Sequence, residues 1–339
     1  MRPFFQHPVA AQYVFDREGL TFRDEDAPFI NQLNYSFGLI KGGAVSGDHW
    51  TAIEAYKAFI RRHPHILPVL SVGGWGADGF SQAAATKDGR AYFVKTALEL
   101  MERHGFLGID IDWEYPCRDD ADIAASPQDK ENFTLLLEAL RAGLDALTLK
   151  DKKPRLLAAA FGAHVRLVDD VECEKIGALL DQFNLMTYDL QTAGTLSFHA
   201  PLYPGHPDFT TCAKTALDAF CAAGIPKEKV MFGNAFYARC FAAQDPQRCV
   251  PFAPAKEYLP SIRYHELMED SSWAHAFDET ACAAYAVKDG QFATYDSVRS
   301  IACKGEYVLA NGLMGLMCWE YGGDRAGELT RAMHASLNP

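Results

Sequence analysis

Eight short runs with the character of β-strands recur along the chain, and stretches with helical periodicity lie between them. Strands that alternate with helices are typical of a parallel α/β fold. The predicted strands cover residues 9–15, 31–40, 66–73, 107–114, 155–161, 182–189, 229–237 and 312–319. The predicted helices cover residues 51–62, 90–105, 131–150, 211–224 and 298–310. The chain of 339 residues is long enough for a (β/α)8 TIM barrel with length to spare.

The spacing of the runs is interrupted once. More than seventy residues separate the seventh run from the eighth, where one helix and two loops need far fewer. This interval carries four prolines and two strand-like pieces, at 283–287 and 291–294. We predict that residues 240–295 form a small α+β insertion on the carboxyl-end face of the barrel, where loops build active sites. Residues 1–239 and 296–339 then form the barrel itself.

Charge and cysteine usage limit the class of partner and the compartment. A formal net charge of −12 argues against a nucleic-acid partner and suits a neutral ligand. The amino terminus has no apolar run typical of a signal peptide, and no stretch reaches the length of a membrane span. The 9 cysteines are scattered without the spacing of a zinc site. We expect a cytoplasmic protein with reduced thiols, no membrane partner and a monomeric state, or a secreted protein if a signal peptide has been removed.

The fourth predicted strand carries three carboxylates at alternate positions, Asp110, Asp112 and Glu114. Successive side chains of a strand point to opposite faces, so these three share one face, which is the interior of a closed barrel. Neighbours on one face lie roughly 7 Å apart, and their repulsion should raise at least one pKa and keep one carboxyl protonated near neutral pH. A protonated Glu114, at the outermost position, is suited to donate a proton to a glycosidic leaving group.

This strand has two other interpretations, a surface strand and a metal site. A surface strand would present its charged side to solvent, but a strand of a parallel α/β sheet is buried on both faces. Clustered Asp and Glu side chains also bind Mg²⁺ or Ca²⁺, but no convincing set of further ligands follows the other strands. The sequence therefore favours a catalytic acid over a metal site.

The carboxylate segment resembles the DGxDxDxE signature of glycoside hydrolase family 18, the chitinase family. It departs from that signature at the first position, where Leu107 replaces the usual Asp. We expect this change to affect packing and proton coupling more than chemistry, and it leaves the charge relay beneath Asp110 open. The resemblance implies that Glu114 is the acid and base, that Asp112 orients the substrate's acetamido group, and that Asp110 shares a proton or hydrogen bond with Asp112. It implies no metal and no organic cofactor.

The ends of the second and third predicted strands add weaker similarities. Phe37 closes a segment similar to the family's second-strand motif and would help wall the sugar subsite, although an aromatic core strand explains it equally well. Ser71 to Gly74 resembles the SxGG motif and precedes Trp75. Glycines allow the backbone to approach a ligand or a neighbouring strand closely, although a turn alone would also explain them. Gly73, Gly74 and Trp75 are therefore candidate substrate-binding residues.

The sixth strand ends in Met186-Thr187-Tyr188-Asp189, which resembles the MxYD motif of the family. The resemblance implies that Tyr188 binds the oxygen of the substrate's acetamido group. Alternation places Met186 on the same inward face as Tyr188. Because endoglycosidases that act on N-glycans often vary this motif, its intact form favours the chitinase branch.

The last strands supply the remaining candidates. Phe236 to Arg239 resembles a strand ending in YGR, with Ala238 in place of glycine, so Tyr237 and Arg239 are expected to contact sugars beyond the cleavage point. Tyr264, within the insertion, is expected to face the cleft. Trp319 ends the eighth strand, where the family has the tryptophan on which the sugar at the cleaved position stacks.

The resemblance spans residues 9–337 and implies a retaining hydrolase for β-1,4-linked N-acetylglucosamine. In this mechanism the substrate's acetamido oxygen attacks the anomeric carbon and forms an oxazolinium ion, without an enzymic nucleophile. The expected partner is an oligosaccharide or polysaccharide that contains N-acetylglucosamine. A chitinase-like lectin is one rival, although such proteins lose the acid. An enzyme for peptidoglycan or N-glycans with the same chemistry is the other.

Overall fold

The strands form a closed barrel and a separate small sheet. A computed structural model describes residues 8–339, so the first seven residues of the predicted range 1–239 lie outside the described residues. Within residues 8–339 the strands are β1 (Val9–Phe15), β2 (Gln32–Lys41), β3 (Ala44–Ser46), β4 (Leu67–Gly73), β5 (Gly108–Asp112), β6 (Leu156–Gly162), β7 (Gln182–Met186), β8 (Val230–Ala235), β9 (Tyr237–Ala243), β10 (Ala255–Arg263), β11 (Ala274–Asp278), β12 (Ala283–Lys288), β13 (Gln291–Tyr295) and β14 (Gly315–Trp319).

The barrel consists of eight parallel strands in the order β1-β2-β4-β5-β6-β7-β8-β14. It closes because β1 pairs in parallel with β14 on one side and with β2 on the other. The predicted (β/α)8 TIM barrel is therefore confirmed. Strand β3 is a short antiparallel addition to the end of β2.

Most of the helices cover the outer face of the barrel. Across the described part of the chain they are α1 (Ile53–Arg62), α2 (Phe80–Ala84), α3 (Lys87–His104), α4 (Asp129–Asp151), α5 (Cys173–Leu179), α6 (Ala213–Ala222), α7 (Tyr264–Glu269), α8 (Val298–Asn311) and α9 (Glu328–Leu337). The five predicted helices correspond to α1, α3, α4, α6 and α8. Helices α2, α5 and α7 have five to seven residues, too few to repeat an apolar stripe. None of the helices within residues 8–339 combines the length and the apolar character that a membrane crossing requires.

The main core lies between the strands and this helical layer. Trp113, which follows β5, is buried there and stacks on Phe80 with ring centroids 5.2 Å apart. Phe133 of α4 packs edge-on against the same indole. Ile109 and Ile111 belong to this core, so the opposite, carboxylate-bearing face of β5 is turned toward the barrel interior.

The insertion is a five-stranded antiparallel sheet in the order β10-β9-β13-β12-β11, accompanied by α7. The predicted seventh strand, 229–237, runs across a boundary in the structure. Strand β8 ends at Ala235, and β9 begins the second sheet at Tyr237. The chain is extended on both sides of Phe236, so the sequence pattern could not show where it changes sheets. The domain boundaries 1–239, 240–295 and 296–339 stay a prediction.

Candidate active site

A cavity of about 700 Å³ is lined by residues that end or follow the barrel strands. This volume is within the usual range for sites that bind small molecules. Ten of the fourteen candidate residues line it: Phe37, Trp75, Asp112, Glu114, Met186, Tyr188, Asp189, Tyr237, Arg239 and Trp319. The other four, Asp110, Gly73, Gly74 and Tyr264, are not part of the lining.

Asp112 and Glu114 present two coupled carboxyls to the cavity. Asp112 is buried at the end of β5, and its Oδ1 has no hydrogen-bond partner among the described residues. Burial, followed by the charges of Glu114 and Asp110, raises the pKa of Asp112 well above its ordinary value. Burial raises the pKa of Glu114 to about 7, against the hydrogen bond from Tyr115 that lowers it. The pair therefore retains a proton near neutral pH, as an acid catalyst requires.

The other carboxylates of the cavity are neutralised by arginines. Three ion pairs of this kind are Asp120 with Arg166 (3.1 Å), Asp189 with Arg239 (2.6 Å) and Glu320 with Arg17 (3.0 Å). No described residue forms an ion pair with Asp112 or Glu114. Asp112 and Glu114 are thus the two cavity carboxyls whose negative charge no guanidinium of the described chain compensates.

Asp110 lies behind the cavity wall. Its Oδ2 accepts hydrogen bonds from the hydroxyls of Tyr13 (2.8 Å) and Ser71 (2.9 Å), and its Oδ1 accepts one from the amide of Asn184 (2.9 Å). Burial raises the pKa of Asp110 to about 6 although these three donors oppose it. Asp110 therefore acts on the cavity through its charge on Asp112, and proton sharing between the two stays a prediction.

The charge relay beneath Asp110, which the change to Leu107 left open, does not involve this residue's side chain. Leu107 immediately precedes β5, and alternation places it on the same side as Ile109. Gly108 is the inward-facing residue below Asp110. The hydrogen-bond partners of Asp110 come from β1, β4 and β7, so the departure from the usual signature removes none of them.

Gly73 and Gly74 support the site from behind instead of lining it. A Cβ on Gly73 would lie 2.1 Å from the carbonyl oxygen of Asp112, and φ at Gly73 is +119°. The backbone N–H of Gly74 donates to that same oxygen at 2.8 Å. A Cβ on Gly74 would lie 2.5 Å from the ring of Phe37. The glycines were expected to allow a close approach of the backbone either to a ligand or to a neighbouring strand. The structure shows the approach to neighbouring strands and their side chains.

Tyr188 and Met186 face the interior together. Both belong to an inner apolar cluster that also contains Tyr13 and Ala160. Burial raises the pKa of Tyr188 well above its ordinary value, and the neighbouring Tyr237 and Asp112 add to this effect. The Tyr188 hydroxyl therefore keeps its proton and remains a hydrogen-bond donor into the cavity.

Asp189 and Arg239 form a bidentate ion pair, with the Nε and Nη2 of Arg239 each 2.6 Å from a carboxylate oxygen. The Nδ1 of the fully buried His199 lies 3.5 Å from Asp189 Oδ1. Burial alone would raise the pKa of Asp189, but His199 and Arg239 hold it below its ordinary value. The Arg239 guanidinium also lies over the ring of Tyr237, 5.2 Å from its centroid.

Aromatic rings form one wall of the cavity. Trp319 stacks on Phe37 with centroids 5.4 Å apart and planes 20° apart, and Tyr13 packs against it at 6.1 Å. Trp75 is 64% exposed and faces Tyr115 edge-on. Flat apolar faces beside hydrogen-bonding groups match the two kinds of surface that a pyranose presents.

Tyr264 does not face the cleft. It is buried at the start of α7, and its hydroxyl donates to Glu328 at 2.8 Å. Its ring lies 6.3 Å from that of Tyr295 in the insertion sheet. Tyr264 therefore contacts α9 and the insertion, because the chain changes at this residue from β10, whose last residues line the cavity, into α7.

Several residues of the site were missing from the prediction. Ser71 lies inside the SxGG segment, and Asn184 lies two residues before Met186 on the same face, so alternation along the strands would have found both. Tyr13 and Tyr115 are also part of the site. His199 is near Asp189 in both sequence and space. The loop that brings them together has no periodic pattern from which this contact could have been predicted.

No group of three or more His, Cys, Asp and Glu side chains in residues 8–339 is arranged to hold a metal ion. The nine cysteines, all of which lie in this range, are free. The site consists of carboxyl, hydroxyl, guanidinium and aromatic groups, which is a set suited to acid–base chemistry on a neutral polar ligand.

Comparisons with known proteins point in one direction. The family model described as "Glycosyl hydrolases family 18" matches residues 10–324. Chitinase A1 from Niallia circulans is 32% identical over 326 residues, which cover 87% of this chain and 47% of that protein. Chitotriosidase-1 from Mus musculus is 31% identical over 276 residues, covering 76% and 58% respectively. The chain thus spans about half the length of these two curated relatives.

A solved structure is similar over its whole length. It is described as that of a novel glycoside hydrolase family 18 N-acetylglucosaminidase from Paenibacillus barengoltzii, and it superposes with a TM-score of 0.92 at 34% identity. The similarity covers 97% of this chain and 100% of that chain.

Proposed function

The chain belongs to glycosyl hydrolase family 18, and from this premise we propose that it hydrolyses β-1,4-linked N-acetylglucosamine in chitin fragments by a retaining, substrate-assisted mechanism. One observation carries the proposal. Among the five carboxylates that line the cavity, only Asp112 and Glu114 lack an arginine partner in the described chain. Asp112 Oδ1 also has no hydrogen-bond partner there.

The first step uses the proton shared by Asp112 and Glu114. In the free enzyme the coupled carboxyls hold this proton between them. When the substrate's acetamido N–H donates to Asp112 Oδ1, it stabilises the Asp112 anion and leaves the proton on Glu114. Glu114 then protonates the glycosidic oxygen while the acetamido oxygen bonds to the anomeric carbon and the glycosidic bond breaks. The product is an oxazolinium ion, whose positive charge the Asp112 carboxylate offsets.

The second step returns the proton. The Glu114 carboxylate accepts a proton from water as the water oxygen bonds to the anomeric carbon, and the oxazolinium ring opens to restore the acetamido group. Two inversions at that carbon give net retention. Tyr188 supports both steps, because its hydroxyl stays protonated and can donate to the acetamido oxygen.

A narrower specificity is a second candidate with the same chemistry. The solved structure that this chain covers completely is described as an N-acetylglucosaminidase, whereas the sequence relatives are named chitinase and chitotriosidase. Release of single N-acetylglucosamine units would agree with the first description, and release of dimers or longer products with the second.

Hydrolysis of chitotetraose tests the proposal. The wild type should give shorter oligomers, and their sizes at early times separate the two specificities. Glu114→Gln should lose about 10²–10⁴-fold in kcat and still bind the tetramer in a calorimetric titration. Glu99→Gln, on the exposed face of α3, is the matched control and should hydrolyse normally. Binding without hydrolysis by the wild type would support the lectin, and activity of Glu114→Gln within tenfold of wild type would remove Glu114 as the acid.

A further inference from the structure

An ion pair between Lys304 and Asp296 lies behind β8 without any exposure to solvent. Lys304 belongs to α8, and Asp296 lies between β13, the last strand of the insertion, and α8. The Lys304 Nζ is 2.7 Å from Asp296 Oδ2, and both side chains are 0% exposed. Burial of two charges is costly even when they pair, and apolar side chains would join a helix to a strand equally well. The pair therefore calls for an explanation beyond packing.

Both members of the pair bind the backbone of β8. Asp296 Oδ2 accepts the backbone N–H of Ala235 at 2.9 Å, and Lys304 Nζ donates to the carbonyl oxygen of Gly233 at 3.1 Å. The remaining Asp296 oxygen accepts the hydroxyl of Ser300 at 2.8 Å. The last residues of β8 before the insertion are thus held at two alternate positions from the outer side of the barrel.

Gly233 is in direct contact with Tyr188. The Gly233 carbonyl that accepts Lys304 also accepts the hydroxyl of Thr187, the residue before Tyr188, at 2.7 Å. The ring of Tyr188 lies so close that a Cβ on Gly233 would be 2.7 Å from Cε1 of that ring. The position of the Tyr188 ring therefore depends on where the Gly233 backbone is held.

We propose that Lys304 and Asp296 are positioning residues for Tyr188: they hold the Gly233–Ala235 backbone from behind and so set where the Tyr188 hydroxyl meets the substrate's acetamido oxygen. This inference rests on the proposed function, in which Tyr188 binds that oxygen. Because Asp296 directly follows the insertion sheet, the same pair links the insertion to the site. Apolar packing at this place would hold the helix against the strand without fixing individual backbone groups of β8.

A double-mutant cycle on chitotriose hydrolysis tests this role. Lys304→Met should lower kcat about tenfold and leave KM within about twofold, because misplacement of a group costs transition-state stabilisation more than ground-state binding. In a Tyr188→Phe background the same change should lower kcat by less than about twofold, since the hydroxyl that Lys304 positions is then absent. Equal losses in both backgrounds, or no loss in either, would overturn the inference.

The controls separate positioning from stability. Lys229 precedes β8 at its other end and donates to the carbonyls of Gly177 and Leu180, both at 2.7 Å. Lys229→Met should lower Tm and leave kcat unchanged. If Lys304→Met does not fold, the double variant Asp296→Asn with Lys304→Met replaces it, because it removes both charges and keeps an oxygen for the Ala235 N–H.

The cycle also distinguishes this inference from the proposed function. Wild-type activity in Tyr188→Phe would refute the role of Tyr188, and the inference with it. A large loss in Tyr188→Phe together with equal effects of Lys304→Met in both backgrounds would refute the inference alone.

Discussion

The hydroxyl of Tyr115 adjusts the acidity of Glu114, and its removal should shift the pH dependence of hydrolysis. Its hydrogen bond lowers the pKa of Glu114, which burial raises to about 7. Glu114 must be protonated to act as the acid, so activity of the wild type should fall as pH rises through about 7. Tyr115→Phe removes only the hydroxyl and stabilises the protonated acid, so the decline should begin at higher pH.

The size of the shift follows from the strength of the bond. A hydrogen bond to a charged group contributes about 1.5 kcal/mol at the lower end of the usual range, which corresponds to about one pKa unit. At pH 8 about a tenth of the wild-type acid is protonated, against about half in the variant, by the same relation. Relative to its own value at pH 6, kcat/KM at pH 8 should thus be about fivefold higher in Tyr115→Phe than in the wild type.

The assay is kcat/KM for a chitotriose substrate between pH 5 and 9, because this ratio reports the ionisation of the free enzyme. Tyr92→Phe, on the exposed surface of α3, is the matched control and should reproduce the wild-type profile. A high-pH limb that stays in place in Tyr115→Phe, or moves to lower pH, would refute the reasoning about the Glu114 environment.

Two further predictions concern stability and the glycines. The pKa of Glu114 is raised in the folded state, so the contribution of protonated Glu114 to stability is complete at low pH and is lost as pH rises toward 7. Glu114→Gln should therefore melt about 2–4 °C above the wild type at pH 8, with a smaller difference at pH 5. An equal difference at both pH values in calorimetry would contradict this. Gly73→Ala would place a Cβ 2.1 Å from the Asp112 carbonyl and should lower kcat by about 100-fold or abolish folding. Gly105→Ala, also at positive φ but with open space around it, should cost only about 1–2 kcal/mol of stability and keep full activity. Similar behaviour of the two variants would show that the Asp112 contact is unimportant.

The fold was predictable from the sequence because its strands and long helices each carry their own repeating pattern. The stripe of α4 and the alternation in β5 needed no knowledge of the rest of the chain. The break between β8 and β9 was not visible, because an extended chain has the same period on both sides of Phe236. The short helices α2, α5 and α7 were missed for the related reason that one or two turns do not repeat a pattern. Helix α9, with ten residues, was not predicted either.

The site was predictable where one strand positions the residue, and less so where several elements meet. Asp112 and Glu114 line the cavity because alternation along β5 and the residues after it determines their side. The place of Tyr264 depends on the direction of the first turn of α7, and the contact between His199 and Asp189 depends on a loop. Neither the start of α7 nor the path of this loop produces a periodic pattern in the sequence.

Participation of the substrate's acetamido group is the central claim, and one comparison of substrates tests it most directly. The kcat/KM values should be measured for the aryl β-glycoside of N,N′-diacetylchitobiose and for its analogue with a hydroxyl at carbon 2 of the sugar next to the aryl group. An intramolecular nucleophile of this kind has a large effective concentration, so the acetamido substrate should be preferred by at least about 10³-fold. Cleavage of the two substrates within tenfold of each other would contradict the mechanism.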